Sequence, residues 1–240
     1  MNKWIAICRE RMNNERGGMS ILTIATLAFV ILGSAFMFYY FTVFIEKRQA
    51  QNIADAASLT AVQEVKKQYE LGLEQRADET ISDYLEDLQK RMEAPDDGAG
   101  PTLEEMIKDD IQTPELEDIL IGEQFDAQRD WPLVVKEPHF ADDFTASKNG
   151  DLLYERMVQY SGQISAAASL AIQENGGNTS EGSLTFPVER EPKFKLTAAR
   201  TLSLQNIGIE EDIMAASAAG IGSKDIPIDV SSKTPIVIRW

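Results

Sequence analysis

A side chain that exchanges a proton near neutral pH would have to be His139, the single histidine among 240 residues, set in Pro138-His139-Phe140. A Ser-His-Asp triad or a histidine metal site would rest on it alone, with no recognisable frame around it. It therefore reads as a surface or half-buried histidine. Carboxylates are plentiful, and three pairs stand out: Asp96-Asp97, Asp109-Asp110 and Asp142-Asp143. Calcium favours such oxygen ligands, but none of the pairs belongs to the Asp-x-Asp-x-Asp-Gly ladder of an EF-hand loop. Solvated acidic faces are the expectation. Glycine loops that cradle phosphate, a dinucleotide fingerprint and a nucleophile elbow are all missing from the sequence. No catalytic residue, no metal and no cofactor are expected.

With chemistry unsupported, the elements themselves carry the reading, and one stretch organises them. Met19 to Ile45, MSILTIATLAFVILGSAFMFYYFTVFI, contains no charged side chain. As a helix it would reach about 40 Å, against ~30 Å for the hydrocarbon core of a bilayer. Only a helix satisfies its own N–H and C=O groups in lipid, so the run reads as a transmembrane helix. Tyr39 and Tyr40 lie near one end, where amphipathic rings favour the membrane–water boundary. The run is about twice the length of a secretory signal's apolar region, and EKRQAQ at its exit offers no small-x-small cleavage site.

Charge sets the orientation. Lys3, Arg9, Arg11 and Arg16 precede the run, whereas Lys47 and Arg48 beside Glu46 follow it. Residues 46–240 hold 19 lysines and arginines against 37 aspartates and glutamates, a net of −18. The basic tail places residues 1–18 in the cytoplasm and 46–240 outside. An external part this acidic argues against nucleic acid and against anionic lipid surfaces as its partners. Cys8, the only cysteine, sits on the cytoplasmic side, so the external part has no disulfide and folds on its core alone.

Just beyond the run, Ala50, Ala54, Ala57 and Ala61 are spaced 4, 3 and 4. On a helix continuing out of the membrane they form one stripe. Small side chains admit a partner helix or a sheet at close range. The stripe equally serves a helix that covers its own domain, and spacing does not choose between the two.

Arg16-Gly17-Gly18, the uncharged segment, and then Gln51, Asn52, Ala54, Asp55, Ala56, Ala57, Leu59 and Ala61 resemble the TadE/TadG-like family of pilus-assembly proteins, over roughly the first 65 residues. The resemblance implies a membrane-anchored, pseudopilin-like protein serving Flp (tight-adherence) pilus biogenesis. Two departures qualify it. Pilins of this system carry a glutamate five residues beyond the prepilin-peptidase cut, where this chain has Thr23, so the Gly18–Met19 bond is expected to stay intact. Larger members carry a metal-binding domain marked Asp-x-Ser-x-Ser; Asp229-Val230-Ser231-Ser232-Lys233 lacks the last serine. The chain resembles a short member.

From 46 to 92 there is no proline and one glycine, Gly72, while Leu73, Ala77, Ile81, Leu85 and Leu88 recur at helical spacing. One long helix, bent near Gly72, fits either a stalk or a pilin-like spine; a dimeric coiled coil is the competitor. Residues 93–101 break it. Thr102 with Glu105 forms a capping box for a helix to about Ile111. Pro114 opens another that Gly122 stops. Residues 123–149 read as irregular, with a short strand at 132–135. Asn149-Gly150-Asp151 introduces a single helix to about Glu174, ended by Gly176 and Gly177. From 183 to 240, SLTFPV, KFKLTAARTLSL, DIMAASAAGI, IPIDV and TPIVIRW read as four or five antiparallel strands.

The predicted architecture is α+β and pilin-like: tail 1–18, transmembrane helix 19–45, long helix 46–92, and an external domain 93–240 with its β-rich region at 183–240. Two function classes follow. One is an assembly component that packs against membrane proteins of a pilus or secretion machine, or against pseudopilins, as a homo- or hetero-oligomer. The other is an external sensor or adhesin module on a single-pass anchor, which with 18 residues inside would signal through a membrane partner.

Overall fold

The computed structural model describes residues 15–93, 101–204, 209–222 and 226–240. Cys8, the Asp96-Asp97 pair and the Asn206-Ile207-Gly208 connection lie outside the described residues. The fold is α+β. Helix α1 (Glu15–Glu93) takes 79 residues without interruption, because no proline and only isolated glycines occur along it. It contributes to two compact units, Met1–Gln49 and Ala50–Trp240.

In the first unit, the apolar run of α1 is exposed along its length. In the second, α1 is a spine. Ala50, Ala54, Ala57, Ala61, Val65, Tyr69, Leu73, Ala77, Ile81, Tyr84 and Leu88 are buried at nearly four-residue intervals, so one stripe of the helix faces the core. Gly72 does not interrupt the helix. A Cβ there would lie 2.8 Å from Arg156 Nε and 3.0 Å from a Leu152 methyl, so the glycine admits a close neighbour.

Short helices follow: α2 (Leu103–Asp110), α3 (Pro114–Ile121) and α4 (Ala127–Lys136), then a 3₁₀ turn at Pro138–Phe140. The capping box on α2 is present in full, with Thr102 and Glu105 exchanging both bonds. Pro114 stands at the start of α3 and Gly122 caps its end. The strand expected at 132–135 is instead inside α4. Asp126 caps that helix by accepting the Gln128 N–H at 3.1 Å, and Val134 is buried with Trp131 and Val135 half-buried beside it. Four apolar residues do not distinguish the two periods, and here the cap and the buried side of a helix decided.

The single helix expected from 151 to 174 is two, α5 (Ala146–Gln159) and α6 (Ser161–Glu174), jointed at Tyr160. The joint lets Leu153 and Met157 of α5 and Ile164, Ala168 and Ile172 of α6 all reach the core. Helix α5 also starts earlier than Asn149-Gly150 suggested. Thr145 caps it, and a Cβ on Gly150 would strike the Asp229 carbonyl, so this glycine serves contact rather than a turn. Helix α6 ends in a Schellman arrangement: Gly176, at φ 75°, donates to Gln173 O at 2.9 Å and Gly177 to Ile172 O at 2.8 Å.

The antiparallel sheet has four strands, β1 (Asn178–Phe186), β2 (Lys193–Leu204), β3 (Ile209–Gly220) and β4 (Ile236–Arg239), in the order β3-β2-β1-β4. Phe194, Leu196 and Ala198 pair with Ala219, Ser217 and Ala215 and share the core face with Leu184 and Phe186. Residues 226–230, expected as a strand, form none. Asp229 N–H donates to Ala146 O, Asn149 Nδ2 donates to Pro227 O, and Val230 is buried. The segment is tied to the start of α5 rather than to a neighbouring strand.

Candidate functional site: the uncharged helix and its continuation

Between Met19 and Ile45, large apolar side chains are exposed on every side of α1: Phe29 at 77%, Leu32 at 70% and Phe36 at 72%. The run is long and apolar enough to cross a membrane, and none of its most apolar window is buried within the protein. Its polar groups are neutralised locally. Thr23, Thr26 and Thr42 donate their hydroxyls to the carbonyls of Met19, Leu22 and Phe38 at 2.8, 2.8 and 2.9 Å. Such back-bonding leaves no hydroxyl seeking water.

From Ala50 the same helix changes role. Ala54, Ala57 and Ala61 are fully buried and Ala50 is 1% exposed. The burial comes from this chain itself. Ser58, on the same side, lies 3.0 Å from Ser217 on β3, and Ile53 packs towards Gly177 and Ile172 at the end of α6. The alanine stripe is thus covered by its own domain, the second of the two roles its spacing allows. A partner helix would have to displace the sheet to reach it.

The remaining motif residues divide accordingly. Gln51, Asn52, Asp55 and Leu59 are exposed. Gln51 Nε2 donates to Asp55 Oδ1 at 3.0 Å and to the Ala216 carbonyl of β3 at 3.2 Å, so its amide ties helix to strand. Gly17 and Gly18 lie within the first turn of α1. Ser58 and Gln51 as fasteners were not anticipated; a serine interrupting an alanine stripe is the available signal.

Elsewhere, the residues with chemical potential are occupied. His139 is exposed and meets Tyr84 and Phe140 edge-on, with ring centroids 5.2 and 5.0 Å apart. Asp110 faces Tyr84 Oη at 3.4 Å and Arg91 at 3.7 Å, and Asp143 pairs with Lys148 at 3.1 Å. Among the described residues no cluster of three or more potential metal ligands occurs. Asp229 accepts the Ser231 N–H at 2.8 Å in a local turn. An open groove of about 610 Å³ runs past Arg76, Asp83, Tyr84, Asp87 and His139, with charges of both signs along it.

One buried carboxylate escaped the sequence. Glu137 is fully buried and accepts N–H bonds from Gln112 at 3.1 Å, Thr113 at 2.9 Å and His139 at 3.4 Å. Burial pushes its pKa up, but bonds from Thr113, Gln112 and His139 outweigh that and hold it below the usual glutamate range. Its role is to satisfy the N–H groups that precede α3 and open the 3₁₀ turn. The Glu137-Pro138 pair, a cap before a proline, is the signal that would have found it.

No curated protein and no solved structure matches the chain significantly. Residues 17–64, which include Gly17, Gly18 and the whole Gln51–Ala61 block, match the model of the Flp pilus-assembly TadE/G-like family.

Proposed function

We propose that this protein is a membrane-anchored, pseudopilin-like component of a Flp/Tad-type pilus assembly or secretion machine, acting by protein–protein packing and not by catalysis. The observation that carries the reading is a coincidence of boundaries. The family match over 17–64 covers an exposed uncharged helix together with the buried alanines that fasten its continuation to a sheet. That combination supports an anchor joined to an external domain by one uninterrupted helix. The basic tail favours a cytoplasmic N-terminus with residues 46–240 outside.

Partners are other membrane proteins of the machine, or pseudopilins, in a homo- or hetero-oligomer. Since the alanine stripe is occupied, the surface for them in the membrane is the exposed side of 19–45. Packing there depends on close van der Waals fit, because lipid supplies no hydrophobic drive between helices. Neither metal nor cofactor is needed. The test is deletion of the gene in its host, with surface filaments counted by electron microscopy and restored by the intact gene. Unchanged filaments in the deletion strain would refute the proposal.

A further inference from the structure

We infer that Lys47 and Arg48, with the aromatic end of the apolar helix, form a collar that holds anionic phospholipid headgroups in the leaflet where α1 leaves the membrane. This rests on reading 19–45 as a span and adds a ligand class, the lipid phosphodiester.

Phe36, Tyr40, Phe44 and Arg48 recur at every fourth position and so lie in one stripe of α1. The three rings are 72%, 59% and 50% exposed. Phe38 against Tyr39, and Tyr40 against Phe41, widen the aromatic zone through edge contacts. Aromatic rings of this kind settle at the membrane–water boundary. Arg48 turns back over them, its guanidinium carbon 5.8 Å from the Phe44 ring centroid. The positive charge is therefore held against the apolar run, at headgroup depth, with exposed Lys47 beside it.

Charge selects the occupant. After Arg16 these are the first cations in the chain, and the residues from 46 onward carry a net of −18. An external part so acidic is repelled by an anionic leaflet, and the collar supplies the compensating attraction where the two approach. A guanidinium also presents paired donors that match phosphate oxygens.

The test uses the full chain reconstituted in phosphatidylcholine vesicles, with spin-labelled phosphatidylglycerol or phosphatidylcholine as the probe. Electron spin resonance measures the lipid immobilised at the protein. To remove the opposite leaflet's contribution, Lys3, Arg9, Arg11 and Arg16 are all changed to Gln. In that background phosphatidylglycerol is expected to be favoured several-fold, about fivefold per basic side chain at low salt, and less as salt rises. Adding Lys47→Gln and Arg48→Gln should bring the two lipids to near parity. A preference that survives those changes, or none before them, overturns the inference while leaving the span intact. If neither lipid is immobilised, the helix is not in the bilayer and the reading of 19–45 fails as well.

Discussion

Ser58 Oγ on α1 and Ser217 Oγ on β3 lie 3.0 Å apart, joining residues 159 positions distant in sequence. The bond sits among alanines that allow helix and sheet to approach closely. Both partners need the short distance: a hydroxyl cannot reach across a gap held open by leucines. The packing and the bond therefore stand or fall together.

Ala57 is fully buried beside this bond, so Ala57→Leu inserts bulk where no space exists. Overpacking costs typically ~1–3 kcal/mol. The expected outcome is a lowered melting temperature of the full chain in detergent, read by circular dichroism. An unchanged melt would show that the stripe tolerates bulk and is open to a partner.

Glu137 carries a pH signature. Its folded pKa is held low by the bonds from Thr113, Gln112 and His139 in spite of burial. A depressed carboxylate pKa contributes stability that is present above the unfolded value of ~4.3 and disappears as pH falls through the folded pKa. Acid unfolding of the wild type should therefore steepen below about pH 4. Glu137→Gln should lose ~1–3 kcal/mol at neutral pH and show a flatter acid limb. Parallel acid limbs in the two proteins would refute this.

Gly150 has no room for a methyl group, since a Cβ would run into the Asp229 carbonyl. Gly150→Ala should cost at least the ~1–3 kcal/mol of ordinary overpacking, because main chain gives way less readily than a side chain. Gly162→Ala is the control: its Cβ would meet nothing within 4 Å. Urea titrations of the two variants should differ clearly in midpoint.

Topology follows from the tail. Protease added to intact cells with a permeable wall should remove epitopes placed beyond residue 46 and spare one placed before residue 18. A C-terminal epitope protected until lysis would reverse the orientation.

Processing follows from Thr23, which stands where a pilin glutamate is expected. N-terminal sequencing of membrane-extracted protein should find the Gly18–Met19 bond intact in most molecules. Met19 as the first residue would show that cleavage proceeds without the glutamate.

What could be read in the sequence was whatever neighbours decide. The Thr102–Glu105 box, Pro114, Gly122 and the Gly176 stop act within one turn of chain, and each is found where its residue type implies. The uncharged run is legible for the same reason. Contacts between distant segments were not. Asn149-Gly150 reads as a turn until Asp229 is seen packed on the glycine, and residues 226–230 read as a strand until Ala146 takes the Asp229 N–H. For the alanine stripe, spacing identified the face, whereas what covers it depended on β3, more than 150 residues away.

The strand order has a consequence for timing. Strand β1 lies between β2 and β4, and β4 is drawn from residues 236–239, the latest element to emerge during synthesis. Until those residues are outside, β1 presents an open row of amides and carbonyls, and the Gly182 carbonyl lacks its donor from Trp240. A chain emerging N-terminus first thus holds an adhesive edge throughout its export, protected only by whatever escorts it. Shortened products that lack these residues would keep that edge permanently, which marks them for chaperones and proteases at the membrane surface.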